Sequence, residues 1–225
     1  MLTRECPCPG VVIYQSRRGF RYGSESFWLA GFALEEVAAG TALDLGTGSG
    51  IIAMLLASQG LSVCGLELRQ EWAHCWEKSL RDSEVSARVQ LKVHDVASAF
   101  SERADLIVSN PPFFAAGDGP ASPDPWRAAA RTESTATLPL FLKRASQALN
   151  AEGRICMVLP RERAEQAEQA ATALGLFLRR RCDVGARRVL LSWRREQGPC
   201  VRNEFSENSE RVKSWYGLFG AAQRA

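Results

Sequence analysis

Short apolar runs alternate with longer amphipathic stretches from residue 41 to residue 196. The apolar runs predict strands over 42–45, 62–66, 89–93, 106–109, 154–159, 177–182 and 189–193, and the amphipathic stretches predict helices over 49–58, 70–81, 138–149 and 161–174. Strands that alternate with helices form a parallel sheet covered on both faces. The turn around Gly185 is too short for a helix, so the last two strands should pair antiparallel. We therefore expect an α/β fold with a mostly parallel seven-stranded sheet, an antiparallel last strand and helices on both faces.

The segments on either side of this domain have a different pattern. Near the N-terminus, the runs 11–14 and 19–22 flank a basic stretch and resemble a hairpin, and Ser24 is the expected N-cap of a helix that continues to about residue 38. Residues 194–206 are mostly polar, and 207–225 can form an amphipathic helix. We expect an N-terminal extension (1–40) on the substrate side, a central domain (41–196), and a C-terminal segment (197–225) whose helix packs on that domain.

The composition is that of a globular protein. Of 225 residues, 46% are hydrophobic, which is enough for one core, and the net charge is only +3. Seven cysteines at irregular spacing argue against a disulfide framework, and the close pair Cys6 and Cys8 lacks the second pair that a zinc site needs. The chain starts without an apolar leader, and glycines interrupt the uncharged run 45–66. We expect a cytoplasmic protein that binds neither a metal nor a membrane.

A glycine-rich string follows the first strand of the central domain. It reads Asp44-Leu45-Gly46-Thr47-Gly48-Ser49-Gly50, and a carboxylate, Glu67, follows the next strand. A strand, a glycine turn and a helix bring a ligand against the backbone, and the carboxylate is placed to bind hydroxyls. The glycine spacing differs from the dinucleotide fingerprint, and an acidic residue beside the turn would repel a pyrophosphate. The string therefore favours a ligand that carries an ammonium group.

This string resembles motif I of class I S-adenosylmethionine-dependent methyltransferases. The resemblance implies a Rossmann-like fold and S-adenosylmethionine as cofactor. It implies that the turn holds the methionine part, that Glu67 binds the ribose hydroxyls, and that Asp95, after the third strand, meets the adenine amino group. For Asp95 alone, a helix N-cap is the alternative. The expected cofactor contacts are Asp44, Gly46, Thr47, Gly48, Gly50, Glu67, Asp95 and Asn110.

The string Asn110-Pro111-Pro112-Phe113 follows the fourth strand, so it should lie at the carboxyl edge of the sheet, beside the cofactor. An amino group on adenine, or a side-chain amide, is a poor nucleophile because its lone pair is delocalised. Two acceptors that bind its hydrogens would direct the lone pair at an electrophilic methyl group. The Asn110 oxygen and the Pro111 carbonyl can be those acceptors, Pro112 restricts the turn, and Phe113 offers a face for stacking.

This string resembles motif IV of amino-group methyltransferases, which include enzymes for adenine in DNA or RNA, for guanine N2 in ribosomal RNA and for glutamine in release factors. Most of the chain resembles the bacterial tRNA (adenine-N6)-methyltransferases that modify the adenine beside the anticodon of a valine tRNA. Three further strings carry this resemblance: Gly23-Ser24-Glu25, Ala130-Arg131-Thr132 and Arg188-Val189-Leu190-Leu191. In those relatives the first string usually reads Gly-Thr-Asp and the second continues Arg-Tyr, so Glu25 and Thr132 are departures.

Clustered arginines point in the same direction, because guanidinium groups at the rim of a cleft contact phosphates and stack on unpaired bases. We expect tRNA contacts from Arg17, Arg18, Arg21, Arg127, Arg131 and Arg188. The proline-rich segment 111–134 is a candidate substrate lid. Three alternatives stay open: a release-factor glutamine methyltransferase, a DNA adenine methyltransferase, and a non-catalytic RNA-binding protein on a methyltransferase scaffold. We expect a monomer.

Overall fold

A computed structural model of the chain describes residues 2–17, 21–111 and 137–220. The ten strands in these ranges are β1 Leu2–Cys8, β2 Val11–Ser16, β3 Thr41–Leu45, β4 Ser62–Glu67, β5 Val89–Val93, β6 Ala104–Ser109, β7 Leu149–Pro160, β8 Phe177–Val184, β9 Arg188–Arg194 and β10 Val201–Phe205. The α-helices in the same ranges are α1 Ser24–Leu34, α2 Ile51–Ser58, α3 Ala73–Arg81, α4 Leu138–Ala148, α5 Ala164–Ala173 and α6 Glu210–Gly217. Short 3₁₀ turns precede α3 and α5, at Gln70–Trp72 and Arg161–Arg163.

The main sheet has the order β10-β8-β9-β7-β6-β3-β4-β5 over the described ranges. Only β9 among these eight strands runs antiparallel to its neighbours, as the short turn at Gly185 predicted. The α/β fold class is therefore confirmed, with one strand more than the seven expected. Strand β3 lies between β4 and β6, and the chain crosses from β5 back to β6 on the other side of β3. This reversal places a crevice at the carboxyl ends of β3 and β6.

Helices cover both faces of the sheet, and each face has its own hydrophobic cluster. Successive side chains of β6 pack in opposite clusters. Val108 packs in the cluster with α1, α2 and α6, and Ile107 packs in the cluster with α4 and α5. This period of two is what a strand buried on both faces requires. Gly175, with φ of +71°, ends the turn after α5. The hydrophobic pattern of the sequence thus predicts the central strands and the helices that cover them.

The N-terminal hairpin differs from the prediction. It forms between β1 and β2, with a turn at Pro9 and Gly10. Of the run 19–22, which was expected to pair with 11–14, residues 21 and 22 are not in a strand, and residues 19 and 20 lie outside the described residues. Two charged residues and a proline interrupt the apolar pattern of β1, which is why the sequence did not indicate a strand there. Helix α1 begins after Gly23, so Ser24 is its first residue and not its N-cap, and it ends at Leu34 and not near residue 38.

The C-terminal segment also contains a strand that the polar sequence did not predict. Strand β10 pairs in parallel with β8 at the edge of the sheet, and four of its five residues are exposed. An exposed edge strand needs no apolar alternation, so its sequence resembled a loop. Helix α6 is shorter than the expected 207–225 and begins after Ser209, whose hydroxyl accepts a hydrogen bond from the Val212 amide at 3.3 Å. Its Trp215 packs against α1, where Gly31 leaves space for the indole.

The described ranges contain no helix that is long and apolar enough to cross a membrane. The same part of the chain contains no group of three His, Cys, Asp or Glu side chains that could hold a metal ion. All seven cysteines are free thiols, and Cys156 lies in the core while Cys64 is half-buried. The candidate lid 111–134 lies outside the described residues except for Pro111.

Candidate active site

The glycine turn between β3 and α2 has a backbone that only glycine adopts easily. Gly46, Gly48 and Gly50 have φ angles of +75°, +54° and +82°. The Gly46 and Thr47 amides both donate to the Leu66 carbonyl of β4, at 2.8 and 3.0 Å. The turn therefore bends away from β6 toward β4, and this opens the crevice between β3 and β6.

Asp44 is the most unusual polar residue of the turn because it is fully buried. Its Oδ2 accepts a hydrogen bond from the Thr47 hydroxyl at 2.6 Å, and its Oδ1 has no hydrogen-bond partner in the described structure. Burial raises the pKa of this carboxyl to about 7, the Thr47 hydrogen bond lowers that pKa, and the nearby Glu67 carboxylate raises it. A buried acceptor without a partner is costly, so a ligand that donates a hydrogen bond would stabilise this carboxylate.

Glu67, the last residue of β4, holds the glycine turn through its carboxylate. Oε2 accepts from the Gly48 amide at 2.9 Å, and Oε1 accepts from the Arg69 amide at 3.1 Å. Burial raises the pKa of Glu67, and the hydrogen bonds from Arg69 and Gly48 lower it. Each carboxylate oxygen has a second lone pair, so the group can accept further hydrogen bonds from hydroxyls.

Asp95 follows β5 and lies near the end of β4. The preceding His94 amide donates to the Glu67 carbonyl at 2.8 Å, which joins the two segments. Asp95 Oδ1 accepts from the Ala97 amide at 2.8 Å, and the Asp95 carbonyl accepts from the Ser98 amide at 2.9 Å. The residue therefore closes a turn. No α-helix begins in the described stretch 94–103, so the helix N-cap alternative is wrong.

Asn110 directly follows β6, as predicted, at the carboxyl edge of the sheet. Its Oδ1 is inaccessible to solvent and has no hydrogen-bond partner in the described ranges. Pro111 beside it is buried, whereas Pro112 and Phe113 lie outside the described residues. The site thus presents two buried acceptor oxygens that have no partner among the described residues, one from Asp44 on β3 and one from Asn110 directly after the neighbouring β6.

Two residues of the site were not identified from the sequence. Trp76, a buried residue of α3, donates its indole N–H to the Gly48 carbonyl at 2.9 Å. Gly65 of β4 lies beneath the turn, and a Cβ there would lie 2.8 Å from Thr47 Oγ1. No sequence pattern singles out Trp76 among the six tryptophans of the chain, because its role depends on the packing of α3 against the turn.

The expected tRNA-binding arginines have different surroundings. Arg17 is exposed, just after β2. Arg21 forms an ion pair with Glu5, and Arg188 forms one with Glu25 at 3.1 Å. The Glu25–Arg188 pair joins two strings on which the family resemblance was based, one at the start of α1 and one at the start of β9. The other predicted arginines, Arg18, Arg127 and Arg131, lie outside the described residues.

The position of Arg17 follows from the way β2 packs on α3. The Val12 amide donates to Ser83 Oγ, and the Tyr14 amide donates to Ser79 Oγ, both at 2.8 Å. Strand β2 and helix α3 therefore run in opposite directions. The end of β2 that leads to Arg17 is directed toward the first turn of α3, on the carboxyl side of the sheet, where the glycine turn also lies.

Comparisons with known proteins agree with this geometry. Residues 16–179 match the family described as methyltransferase small domain. The protein from Tolumonas auensis named tRNA1(Val) (adenine(37)-N6)-methyltransferase is 33% identical over 78% of this chain and 74% of its own length, and the protein of that name from Porphyromonas gingivalis is 31% identical over 87% and 82%. The crystal structure of ribosomal protein L11 methylase from Lactobacillus delbrueckii subsp. bulgaricus has the same fold, with a TM-score of 0.60 and 20% identity over 77% of this chain and 80% of that one. The chain belongs to the methyltransferase small domain family, together with the proteins named tRNA1(Val) (adenine(37)-N6)-methyltransferase, and it is a class I S-adenosylmethionine-dependent methyltransferase.

Proposed function

We propose that this methyltransferase transfers a methyl group to the exocyclic N6 of an adenine near the anticodon of a tRNA. The observation that carries the proposal is the buried Asn110 Oδ1, which has no partner in the described structure and lies beside the crevice where the glycine turn opens. The names of the relatives support tRNA as the substrate. A target base must be unpaired or flipped to reach this crevice, which favours an RNA loop.

The residues of the turn fit S-adenosylmethionine. Asp44 Oδ1, which has no partner among the described residues, offers an acceptor for an ammonium group, and Gly46 and Gly48, which have no Cβ, leave the backbone open to a ligand. We infer that Asp44, Gly46, Thr47, Gly48 and Gly50 hold the methionine part, that Glu67 binds the ribose hydroxyls, and that Asp95 binds the adenine amino group, with Asn110 next to the methyl group. When bound, the cofactor supplies an electrophilic methyl group on a positively charged sulfur.

Asn110 and Pro111 would orient the amino group that accepts the methyl. The Asn110 oxygen accepts one of its hydrogens and the Pro111 carbonyl accepts the other, so that the nitrogen lone pair is directed out of the plane of the base. The sequence also assigns Phe113 to stacking on the ring and Pro112 to restricting the turn, and both residues lie outside the described part of the chain. No strong general base is needed, because the nitrogen becomes acidic once the new N–C bond has formed and then releases a proton.

The arginines would contact the phosphates of the RNA. Arg17 is exposed on the carboxyl side and has no ion pair among the described residues, whereas Arg21 and Arg188 form ion pairs with Glu5 and Glu25. A phosphate could still bind a guanidinium that is already paired, because arginine has five N–H donors. We retain the set predicted from the sequence, with Arg18, Arg127 and Arg131, as the candidate RNA contacts.

A transfer assay tests this function. Labelled S-adenosylmethionine is supplied with total tRNA, ribosomal RNA, genomic DNA or release factor, and the labelled product is identified by mass spectrometry. We expect N6-methyladenosine in tRNA. Label on a glutamine of release factor, or on DNA, would overturn the proposed substrate. Cofactor binding without label in any acceptor would contradict catalysis and favour a non-catalytic RNA-binding protein.

A further inference from the structure

Ser109 is a fully buried polar residue between the two halves of the site. It is the last residue of β6 and directly precedes Asn110. Its hydroxyl donates a hydrogen bond to the Leu45 carbonyl of β3 at 2.7 Å, and Leu45 directly precedes the glycine turn. One hydrogen bond therefore joins the backbone next to the catalytic asparagine with the backbone next to the cofactor turn.

This hydrogen bond lies where β3 and β6 separate. The pairing of the two strands runs from Ala42 opposite Leu106 to Asp44 opposite Val108. Beyond that point, the amides of residues 46 and 47 turn to β4. The Ser109 hydroxyl thus continues the connection between β3 and β6 past the end of their backbone pairing, at the crevice in which open α/β sheets bind ligands.

On the other side, Ser109 is fixed by β7. It lies opposite Met157 in the parallel pairing of β6 with β7, and both residues are buried. The end of β6 is therefore held at Ser109 from two directions, by the backbone of β7 and by its own hydroxyl on β3. Asn110, one residue later, takes its position from this point.

We propose that Ser109 is a positioning residue, which fixes the distance between the Asn110 oxygen and the methyl donor held by the glycine turn. This inference rests on the proposed transfer from cofactor to an amino group, but it does not depend on which molecule carries that group. Ser109 acts through the backbone of its neighbours. Displacement of a reacting group by about 1 Å can cost on the order of a hundredfold in rate, so loss of this connection should affect the transfer step.

The test separates cofactor binding from turnover. In Ser109→Ala the glycine turn keeps its bonds to Leu66, Glu67 and Trp76, so we expect the Kd for S-adenosylmethionine to stay within about threefold of wild type. We expect kcat to fall by about tenfold or more, because the amino group and the methyl group are no longer held at a fixed distance from each other. Ser109→Thr retains the hydroxyl and should recover most of the lost kcat.

Ser192→Ala is the matched control. Ser192 is another fully buried serine of the same sheet, on β9, and its hydroxyl lies 3.5 Å from Glu36 Oε2. We expect its kcat to stay near that of wild type. A wild-type kcat in Ser109→Ala, or an equal loss of kcat in both alanine variants, would overturn the proposal. A rise in the Kd for S-adenosylmethionine that explains the whole loss of activity would also overturn it. The assay uses the acceptor that the wild-type enzyme methylates. If that acceptor is not tRNA, the proposed substrate is overturned, but the ratio of kcat in Ser109→Ala to kcat in wild type still tests the role of Ser109.

Discussion

Trp76 provides a sharp test of the cofactor site, because one hydrogen bond can be removed with little other change. In Trp76→Phe the ring remains in the space between α3 and the glycine turn, and the bond from the indole N–H to the Gly48 carbonyl is lost. A neutral hydrogen bond contributes about 1 kcal/mol net. The bond is already made in the ligand-free protein, so its loss weakens binding only by making the free turn less well ordered. Since 1.4 kcal/mol corresponds to a tenfold change in an equilibrium constant, we expect the Kd for S-adenosylmethionine to rise by up to about fivefold. The value of kcat at saturating cofactor should change little, since Trp76 holds the turn and not the amino group.

Isothermal titration calorimetry with S-adenosylmethionine measures this effect directly. Trp193→Phe is the matched control, because Trp193 is also buried but its indole N–H has no partner in the part of the chain that the structure describes. The control removes the same atoms without removing a hydrogen bond. We expect it to leave the Kd unchanged. Equal Kd values for the two variants would refute the role of the Trp76 hydrogen bond.

Three further predictions concern protonation, backbone conformation and RNA binding. Burial raises the pKa of Asp44 from 3.8 to about 7, so its contribution to stability is full below pH 3.8 and is lost as the pH rises toward 7. Asp44→Asn should therefore flatten the decline in the free energy of unfolding between pH 4 and 7, as urea titrations would measure, and an unchanged slope would contradict the raised pKa. Gly50→Ala should destabilise the protein by roughly 1–2 kcal/mol from its positive φ. It should destabilise by more than Gly175→Ala, which has a similar φ of +71°, because an added Cβ lies 2.8 Å from Leu91 at position 50 and in open space at position 175. Equal denaturation midpoints would contradict this difference. Arg17→Ala should lower the slope of log K against log salt for tRNA binding by about 0.7–0.9, whereas Arg202→Ala, an exposed arginine of β10 paired with Glu168, should not. An unchanged slope in Arg17→Ala would exclude a phosphate contact.

The central sheet could be predicted because its strands are buried on both faces. Strands such as β3 and β6 are mostly apolar, with only two polar residues each, and lie between turn residues, a pattern that favours buried strands. The two elements that the sequence did not indicate, β1 and β10, both carry charged residues. A strand at an exposed edge is held by backbone hydrogen bonds, which do not depend on the identity of its side chains.

The site was predictable to the extent that its chemistry depends on residue type. Asp44, Glu67 and Asn110 are recognisable from the strings around them, and the structure places all three at the carboxyl edge of the sheet. Trp76 and Ser109 were not recognisable, because their roles come from contacts between elements distant in sequence. The ion pairs of Arg21 and Arg188 depend on partners in other elements for the same reason.

The central claim is that the Asn110 oxygen orients an adenine amino group for methyl transfer. Its most direct test compares Asn110→Ala with Asn203→Ala, an exposed asparagine on β10, in a single-turnover assay on tRNA with bound S-adenosylmethionine and detection of N6-methyladenosine by nucleoside mass spectrometry. The account predicts that Asn110→Ala still binds the cofactor but forms the product at least a hundredfold more slowly, on the order of the loss for a removed transition-state contact, and that Asn203→Ala matches wild type. Full turnover in Asn110→Ala would contradict it.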